Sequence, residues 1–254
     1  MPLSVTIGID VATAGIRAVA MRLEPNVQIV AQARASLPEP LRVDNGGVEQ
    51  SPDHVSAVAG VLDELCAGMS DLLRKEVRAI SVTATSGTVL PVNQSGDPVG
   101  KALMYNDRRG DALLTKYAVS FPDGRPCDTL GRMALLANAY PHSTPRTVAD
   151  LVNSFLAGQP VSGDGSHWMK AGIFIETLSW PEEELSALGI DGEMLPELRP
   201  SGEALSELAP ALAYRWGLPE STVVVSGMTD GCTSQIAAGA VSPGDSVGVL
   251  GTTL

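Results

Sequence analysis

A carboxylate stands in a short turn between two apolar stretches near the N-terminus. The segment VTIGIDVATAGIRAVAMRL contains Asp10, then the small residues of the turn, and then Arg17 in the second apolar stretch. An aspartate can hold Mg²⁺, backbone amides flanked by small side chains can approach an oxyanion, and Thr13 adds a hydroxyl donor. These residue types suit a Mg-phosphate. An ordinary hairpin is the alternative, because Asp, Thr and Gly are common turn residues.

A second carboxylate stands at a strand-to-helix junction near the other end of the chain. The segment VVVSGMTDGCTSQIAAG places Asp230 where a β-branched strand has ended and a helix begins, which is the usual functional edge of α/β folds. Helix N–H groups and the positive end of the helix dipole favour an ionised carboxylate there. We interpret Asp230 as a base that accepts the proton of an attacking hydroxyl. A plain helix cap is the alternative.

The last segment, GVLGTTL, offers a compact set of amide and hydroxyl donors. A predicted strand is followed by Gly251, Thr252 and Thr253, which can grip a terminal phosphate from the side opposite Asp10. A strand-ending turn is the alternative for these three residues.

The segment SVTATSGTVLPVNQSGDPVGKALMYNDRRG carries polar groups at strand ends. Ser86 and Gly87 start one predicted strand, and Asp107 follows another. Polar groups at such positions commonly converge on small polar ligands. For Arg108 and Arg109 we favour a solvated helix start over a ligand contact.

Hydrophobic periodicity predicts the elements that must position these groups. Three consecutive strands over 5–10, 16–23 and 27–35 form an antiparallel meander, and a helix whose apolar stripe runs from Val55 to Leu72 precedes a buried strand over 77–82. Prolines break the helical pattern between about 128 and 155, which indicates an all-α insert. Further expected elements are helices over 107–119, 182–188, 205–216 and 230–240 and strands over 87–92, 222–226 and 246–250.

Composition limits the class of protein. With 254 residues, 44% hydrophobic and 18% charged, the chain can bury one large or two small cores. A formal charge of −12 argues against nucleic acid or an anionic membrane surface as partner. Three widely separated cysteines indicate neither a disulfide framework nor a zinc site, so a reducing cytoplasm is the simplest location.

Five segments resemble the FGGY family of carbohydrate kinases in order and spacing, over nearly the whole chain. They are the Asp10 turn, ATSGTVLPVNQSGDPVGKALMYNDRRG, ADLVNSFLAGQPVSGDGSHWMKAGIF, GMTDGCTSQIAAGAVSPGD and GVLGTTL. The resemblance implies an actin-like, ribonuclease-H-like α/β fold with a mixed sheet flanked by helices. It also implies that residues 1–254 form the first, sugar-binding domain of an enzyme whose second, nucleotide-binding domain is absent from this chain.

The resemblance assigns roles to individual residues. It places Asp10 at the metal and phosphate, Thr13 and Arg17 at the phosphate, and Asp230 as the catalytic base beside the substrate. It makes Gly251, Thr252 and Thr253 the second phosphate loop, and it places Ser86, Gly87 and Asp107, together with Asp10, around the sugar. ATP and Mg²⁺ are the implied cofactors, a sugar is the implied substrate, and a homodimer is left open.

Two departures from the family pattern matter. Family members usually have Gly where this chain has Ala12, and alanine would strain the loop if that position required a positive φ. Where xylulose kinases carry a Gln-Met-His-like stretch, this chain has Thr85-Ser86-Gly87. Its TSGT and YND segments are more similar to ribulose-type pentulose kinases.

The expected activity is transfer of the ATP γ-phosphoryl group to a hydroxyl of a sugar, with a pentulose such as ribulose or xylulose as substrate. A non-catalytic sugar-binding or regulatory module and an actin-like ATPase are the competing hypotheses. Since the resemblance places a second domain beyond Leu254, we expect these residues alone to bind sugar weakly and to lack useful kinase activity.

Overall fold

The computed structural model describes residues 4–248. The strands, in chain order, are β1 (Val5–Ala12), β2 (Gly15–Arg22), β3 (Gln28–Ser36), β4 (Leu41–Val43), β5 (Gly47–Gln50), β6 (Val77–Ala84), β7 (Val89–Val92), β8 (Ala102–Leu103), β9 (Thr144–Thr147), β10 (Gly163–Asp164), β11 (Leu198–Arg199), β12 (Ala204–Glu207) and β13 (Val223–Val225). The α-helices are α1 (His54–Ala67), α2 (Asp71–Lys75), α3 (Asp111–Lys116), α4 (Asp128–Ala139), α5 (Val148–Ala157), α6 (Gly165–Trp168), α7 (Glu182–Ala187), α8 (Pro210–Trp216) and α9 (Asp230–Ala237). Over the described residues, no helix has both the length and the apolar character needed to cross a membrane.

The larger sheet has the strand order β12-β13-β6-β1-β2-β3. The predicted antiparallel meander is confirmed, because β2 pairs antiparallel with both β1 and β3. Strand β6 runs parallel to β1, and β13 runs parallel to β6. The sheet is therefore mixed, and the carboxyl ends of β1, β6 and β13 share one edge.

The main core lies between this sheet and the helices α1, α5 and α8. Val58, Leu62 and Leu65 of α1 are buried in it, as their spacing predicts. The stripe stops earlier than expected, since Leu72 is 63% exposed. The physical reason is a break in the helix: α1 ends before Gly68, and the Ser70 hydroxyl accepts the Leu73 N–H to start a separate helix.

A second sheet, of order β4-β5-β8-β7-β9, borders a second core that includes α4. The expectation of an all-α insert is wrong, because β9 lies between α4 and α5 and pairs antiparallel with β7. Pro145 is tolerated there because β9 is an edge strand. Helix α5 follows at once, since Thr147 and Asp150 form a capping box.

Other boundaries also differ from prediction. The expected helix over 205–216 is strand β12, which pairs with β13, followed by α8 with Pro210 at its first position. The expected helix over 107–119 shortens to α3. Of the strand expected over 246–250, residues 246–248 have no regular structure, and residues 249 and 250 lie outside the described part of the chain.

Candidate active site

The two carboxylates singled out by the sequence lie at the shared carboxyl edge of the larger sheet. Asp10 is near the end of β1 and is in register with Thr83 of the parallel strand β6. Strand β13 ends at Val225, and the chain then passes through a short loop to Asp230 at the start of α9. Parallel strand order therefore brings together residues that are 220 positions apart.

Asp10 is partly buried and lies near one positive and one negative side chain. Its Oδ2 is 3.4 Å from Nη1 of Arg17, and 31% of its side chain is exposed. Burial raises the pKa of Asp10 above its ordinary value, Arg17 opposes that rise, and the negative charge of Asp230 adds to it. This charge effect and the strand order together place the two carboxylates near each other at the shared sheet edge.

The hairpin after Asp10 is unstrained at Ala12. This residue is the last of β1, pairs with Gly15, and does not have a positive φ. The strain considered from the sequence is therefore absent. Thr13 lies in the turn, and its carbonyl accepts a hydrogen bond of 2.8 Å from the Gln50 amide. The phosphate roles of Thr13 and Arg17 stay predictions.

Asp230 is the first residue of α9, and the cap of this helix is the preceding residue. The hydroxyl of Thr229 accepts the N–H of Cys232, as an N-cap side chain does. Within residues 4–248, the hydrogen bond that the Asp230 carboxylate accepts comes from the N–H of Gly231, at 2.8 Å. Because Thr229 supplies the cap, the exposed oxygens of the Asp230 carboxylate stay accessible to a substrate. This favours the interpretation of Asp230 as a base over that of a plain helix cap.

The loop that carries Asp230 is pressed against β6. Thr83 Oγ1 donates to the carbonyl of Met228 at 2.5 Å. At Gly227, a Cβ atom would lie 1.8 Å from the carbonyl oxygen of Val82, so only glycine allows this approach. These two contacts fix the distance between the loop and the strand edge.

Gly227→Ala is therefore expected to destabilise the protein by about 1–3 kcal/mol, because the loop must move away from β6. The free energy of unfolding in urea measures the effect. Gly231→Ala is the matched control, since nothing lies within 4 Å of the added carbon in the first turn of α9. We expect it to leave stability unchanged or to raise it by up to about 1 kcal/mol. Equal losses in both variants would contradict the close-approach argument.

The predicted sugar segments are joined by an arginine that the sequence reasoning missed. Arg132 of α4 is 1% exposed, and its Nε donates to the carbonyl of Gly87 at 2.9 Å. Its Nη1 donates to the carbonyl of Asp107 at 3.1 Å, and its Nη2 lies 2.5 Å from Asp128 Oδ2. One buried guanidinium thus holds both segments, and Ser86 is buried next to Gly87.

Asp107 is fully engaged in protein contacts. Its carboxylate accepts the Val48 N–H at 2.9 Å and lies 2.6 Å from Nη2 of Arg109. Burial opposes ionisation of Asp107, but hydrogen bonds from Arg109 and Val48 outweigh burial and hold its pKa below the ordinary value. Its contact with the sugar stays a prediction, and the geometry favours shaping of the segment over a direct bond.

The expected solvated helix start fits Arg108 but is wrong for Arg109. The Arg108 side chain is 79% exposed and pairs with Asp111. Arg109 is paired with both Asp107 and Glu49, with a distance of 2.9 Å to the latter. Its guanidinium therefore lies between two carboxylates, of which Glu49 also pairs with Lys101 at 3.1 Å.

One sequence signal could have identified Arg132. It is the single cation of α4, whose other buried positions are apolar, Thr or Gly, and it stands four residues after Asp128. A lone arginine on the buried face of a helix requires acceptors for its five donors. The signal does not say which acceptors, because Gly87 is 45 positions away.

An open groove of about 750 Å³ lies between the larger sheet and α9 and reaches Asp10, Arg17 and Thr83. Elsewhere it exposes mostly apolar atoms, including those of Met21 and Ile236. The apolar part of the groove is therefore a poor match for a phosphate, whereas its end at Asp10 and Arg17 is polar.

Residues 4–248 contain no group of three or more His, Cys, Asp or Glu side chains arranged to hold a metal ion. In phosphoryl-transfer sites Mg²⁺ is usually held by one or two carboxylates together with water and substrate phosphates. Asp10 and the nearby Asp230 are carboxylates, and metal binding by Asp10 stays a prediction. Gly251, Thr252 and Thr253, predicted as the second phosphate loop, lie outside the described residues.

Comparison with known proteins decides the family. The model of the N-terminal domain of the FGGY family of carbohydrate kinases matches residues 5–119 and 147–237. The chain belongs to the FGGY family. The matched ranges include the predicted site residues of the described region, namely Asp10, Thr13, Arg17, Ser86, Gly87, Asp107 and Asp230, whereas Arg132 lies between the two ranges.

Relatives in the FGGY family act on different substrates, by their names. The chain is 22% identical to a gluconokinase of Bacillus licheniformis, over 98% of this chain and 50% of the relative. It is 24% identical to a xylulose kinase of Bacillus subtilis (strain 168), over 97% of this chain and 52% of the relative. The chain thus spans about half the length of these curated relatives.

Solved structures of FGGY kinases confirm the fold. The xylulose kinase of Rhodospirillum rubrum matches with a TM-score of 0.82 at 21% identity, over 94% of this chain and 52% of that structure. Together with the mixed sheet and its flanking helices, this likeness confirms the predicted actin-like, ribonuclease-H-like fold.

Proposed function

We propose that this chain is the first, sugar-binding domain of an FGGY kinase that transfers the ATP γ-phosphoryl group to a hydroxyl of a sugar. The observation that carries the proposal is the placement of Asp10 and Asp230 in one space at the carboxyl edge of β1, β6 and β13. Phosphoryl transfer asks a protein mainly to align donor and acceptor and to stabilise charge. In this proposal a second domain binds the nucleotide.

Asp230 acts as the proton acceptor. Its carboxylate is exposed at the N-terminus of α9, and capping by Thr229 leaves its oxygens accessible. When a sugar hydroxyl attacks the phosphoryl group, Asp230 takes the hydroxyl proton. Gly227 and Thr83 hold the loop before it at a fixed distance from β6.

Asp10, Thr13 and Arg17 form the phosphate side. Asp10 would hold Mg²⁺ directly or through water, while the Thr13 hydroxyl and the Arg17 guanidinium donate to phosphate oxygens. When bound with ATP, Mg²⁺ neutralises the charge that develops on the phosphoryl group. The Arg17 side chain is 70% exposed and already turned toward Asp10, so it can reach a phosphate without breaking a buried contact. Gly251, Thr252 and Thr253 complete this side in the proposal.

The sugar lies against the segment from Ser86 to Gly87 and the neighbouring Asp107 segment. We propose a pentulose such as ribulose or xylulose, supported by the TSGT and YND segments. Gluconokinases and glycerol kinases are also among the relatives, so gluconate and glycerol belong in any test panel.

The test is ADP release by the full-length protein in the presence of Mg²⁺ and ATP, with and without a panel of pentuloses, gluconate and glycerol. We expect release that depends on a pentulose. Sugar-independent release would favour an actin-like ATPase, and sugar binding without release would favour a non-catalytic module. The strain at Ala12 that could have favoured the last hypothesis is not present.

A further inference from the structure

A buried polar pair lies behind the proposed site and is not used by it. His167 and Asp164, at the short helix α6, both have fully buried side chains, and Nδ1 of His167 lies 2.5 Å from Oδ2 of Asp164. Asp164 also accepts the His167 N–H at 2.9 Å through Oδ1. Apolar residues of similar size often stabilise a core as well as such a pair does, so stability alone does not account for it.

The other nitrogen of the His167 ring defines its state. Nε2 lies 3.0 Å from the backbone nitrogen of Ala84, and a backbone N–H can only donate. Nε2 is therefore the unprotonated acceptor, and Nδ1 carries the proton that His167 donates to Asp164. Ala84 ends β6 and immediately precedes the Thr85-Ser86-Gly87 segment, so His167 holds the start of the proposed sugar segment.

The residue next to His167 contacts the other half of the site. Ser166 Oγ accepts the backbone N–H of Thr229 at 2.7 Å. Thr229 is the N-cap of α9, and Asp230 follows it directly. The single turn α6 therefore bonds both the residue before the sugar segment and the N-cap residue of the helix that begins with Asp230.

Helix α6 is also attached to the core of the protein. Nε1 of Trp168 donates to the buried carboxylate of Asp150 at 2.9 Å, which ties α6 to α5. With one side attached to the core and the other bonded to Ala84 and Thr229, α6 adds a further connection between two loops that Thr83 and Gly227 already hold close. These loops follow β6 and β13, which pair in parallel.

We propose that Ser166 and His167 are positioning residues for phosphoryl transfer, with Ser166 orienting Asp230 and His167 orienting the sugar segment. The inference rests on the proposed function, and it predicts that the two residues affect different kinetic constants. Loss of the Ser166 contact acts on the base and lowers kcat, whereas loss of the His167 contact acts on the sugar segment and raises KM for the sugar.

The first experiment needs no activity. In Ser166→Ala, the amide hydrogen of Thr229 loses its acceptor, so we expect hydrogen exchange at Thr229 to rise about 10-fold, in line with the loss of one hydrogen bond. Ser166→Thr keeps the hydroxyl and should exchange as the wild type does. Ser56→Ala is the matched control, because the Ser56 hydroxyl bonds the carbonyl of Asp53 at the start of α1, in another part of the described chain.

The second experiment measures steady-state kinetics of the full-length protein with its best sugar. Ser166→Ala is expected to lower kcat about 10-fold with little change in KM, and Ser166→Thr is expected to restore kcat. His167→Gln is expected to raise KM for the sugar about 10-fold with a smaller change in kcat. Ser56→Ala should leave both constants unchanged.

The outcomes separate the two proposals. If the wild type turns over sugar and folded Ser166→Ala keeps both kinetic constants, the positioning role is overturned while the proposed function stands. If Thr229 exchange rises in Ser166→Ala but the wild type shows no sugar-dependent turnover, the proposed function fails and the positioning role fails with it. If His167→Gln does not fold, the partly exposed Ser166 still provides the test.

Discussion

Replacing Asp230 with asparagine in the full-length protein is expected to lower kcat for the best sugar by about 10² to 10⁴, with a much smaller change in KM. The amide keeps the size and the hydrogen bond from the Gly231 N–H, but it cannot accept the proton of the sugar hydroxyl. Thr229 continues to cap α9, so folding should be unaffected. Steady-state kinetics and a thermal melt measure the two parts of this expectation.

A matched control exists for Asp230→Asn within the described chain. Asp71 is the first residue of α2 and follows an N-cap serine, as Asp230 follows an N-cap threonine. Asp71→Asn removes the same charge from the same helical position far from the strand edge, and we expect normal turnover. Near-normal turnover of Asp230→Asn would remove Asp230 as the base.

Arg132→Met is expected to reduce the free energy of unfolding by about 4 kcal/mol. The change leaves the carbonyls of Gly87 and Asp107 without their buried donor, at roughly 1–3 kcal/mol for each unsatisfied group. Methionine fills most of the volume, so the loss reports on hydrogen bonding more than on a cavity. Urea denaturation measures the effect, and the same variant should bind the sugar more weakly because both sugar segments lose their common anchor.

Arg215→Met is the control for loss of an arginine. Arg215 pairs with Asp63 through two hydrogen bonds of 2.6 and 2.8 Å, but its side chain is 48% exposed. Exposed ion pairs contribute little because water and salt screen them, so we expect a much smaller loss than in Arg132→Met. A loss below about 1 kcal/mol in Arg132→Met would show that the two carbonyls find other partners.

Several parts of the fold could be predicted from the sequence because their signals are local. Alternation of apolar residues identified the strands of the meander, and spacings of three and four identified α1. The positions of Asp10 near the end of β1 and of Asp230 at the start of α9 follow from the same patterns. Each of these features depends on residues within about one element of each other.

The wrong sequence predictions concern segments whose structure depends on the strand with which they pair. Pro145 reads locally as a helix breaker, and whether it ends a helix or lies in an edge strand depends on the neighbouring β7. Residues 205–207 continue into an apolar helical pattern, yet pairing with β13 makes them strand. Local propensity gives way to tertiary contacts in both cases.

The sequence by itself identified the resemblance to the FGGY family, most of the strands and helices, and Asp10 and Asp230 as candidate site residues. Only the tertiary structure decided which polar groups are already occupied. The Asp107 carboxylate already accepts hydrogen bonds from Arg109 and Val48. The Asp230 carboxylate stays accessible because Thr229 caps the helix in its place. The contact between Arg132 and Gly87 spans 45 positions, and the one between Ser166 and Thr229 spans 63. Such bonds depend on the order of strands in space, which residue type and periodicity along the chain do not encode locally.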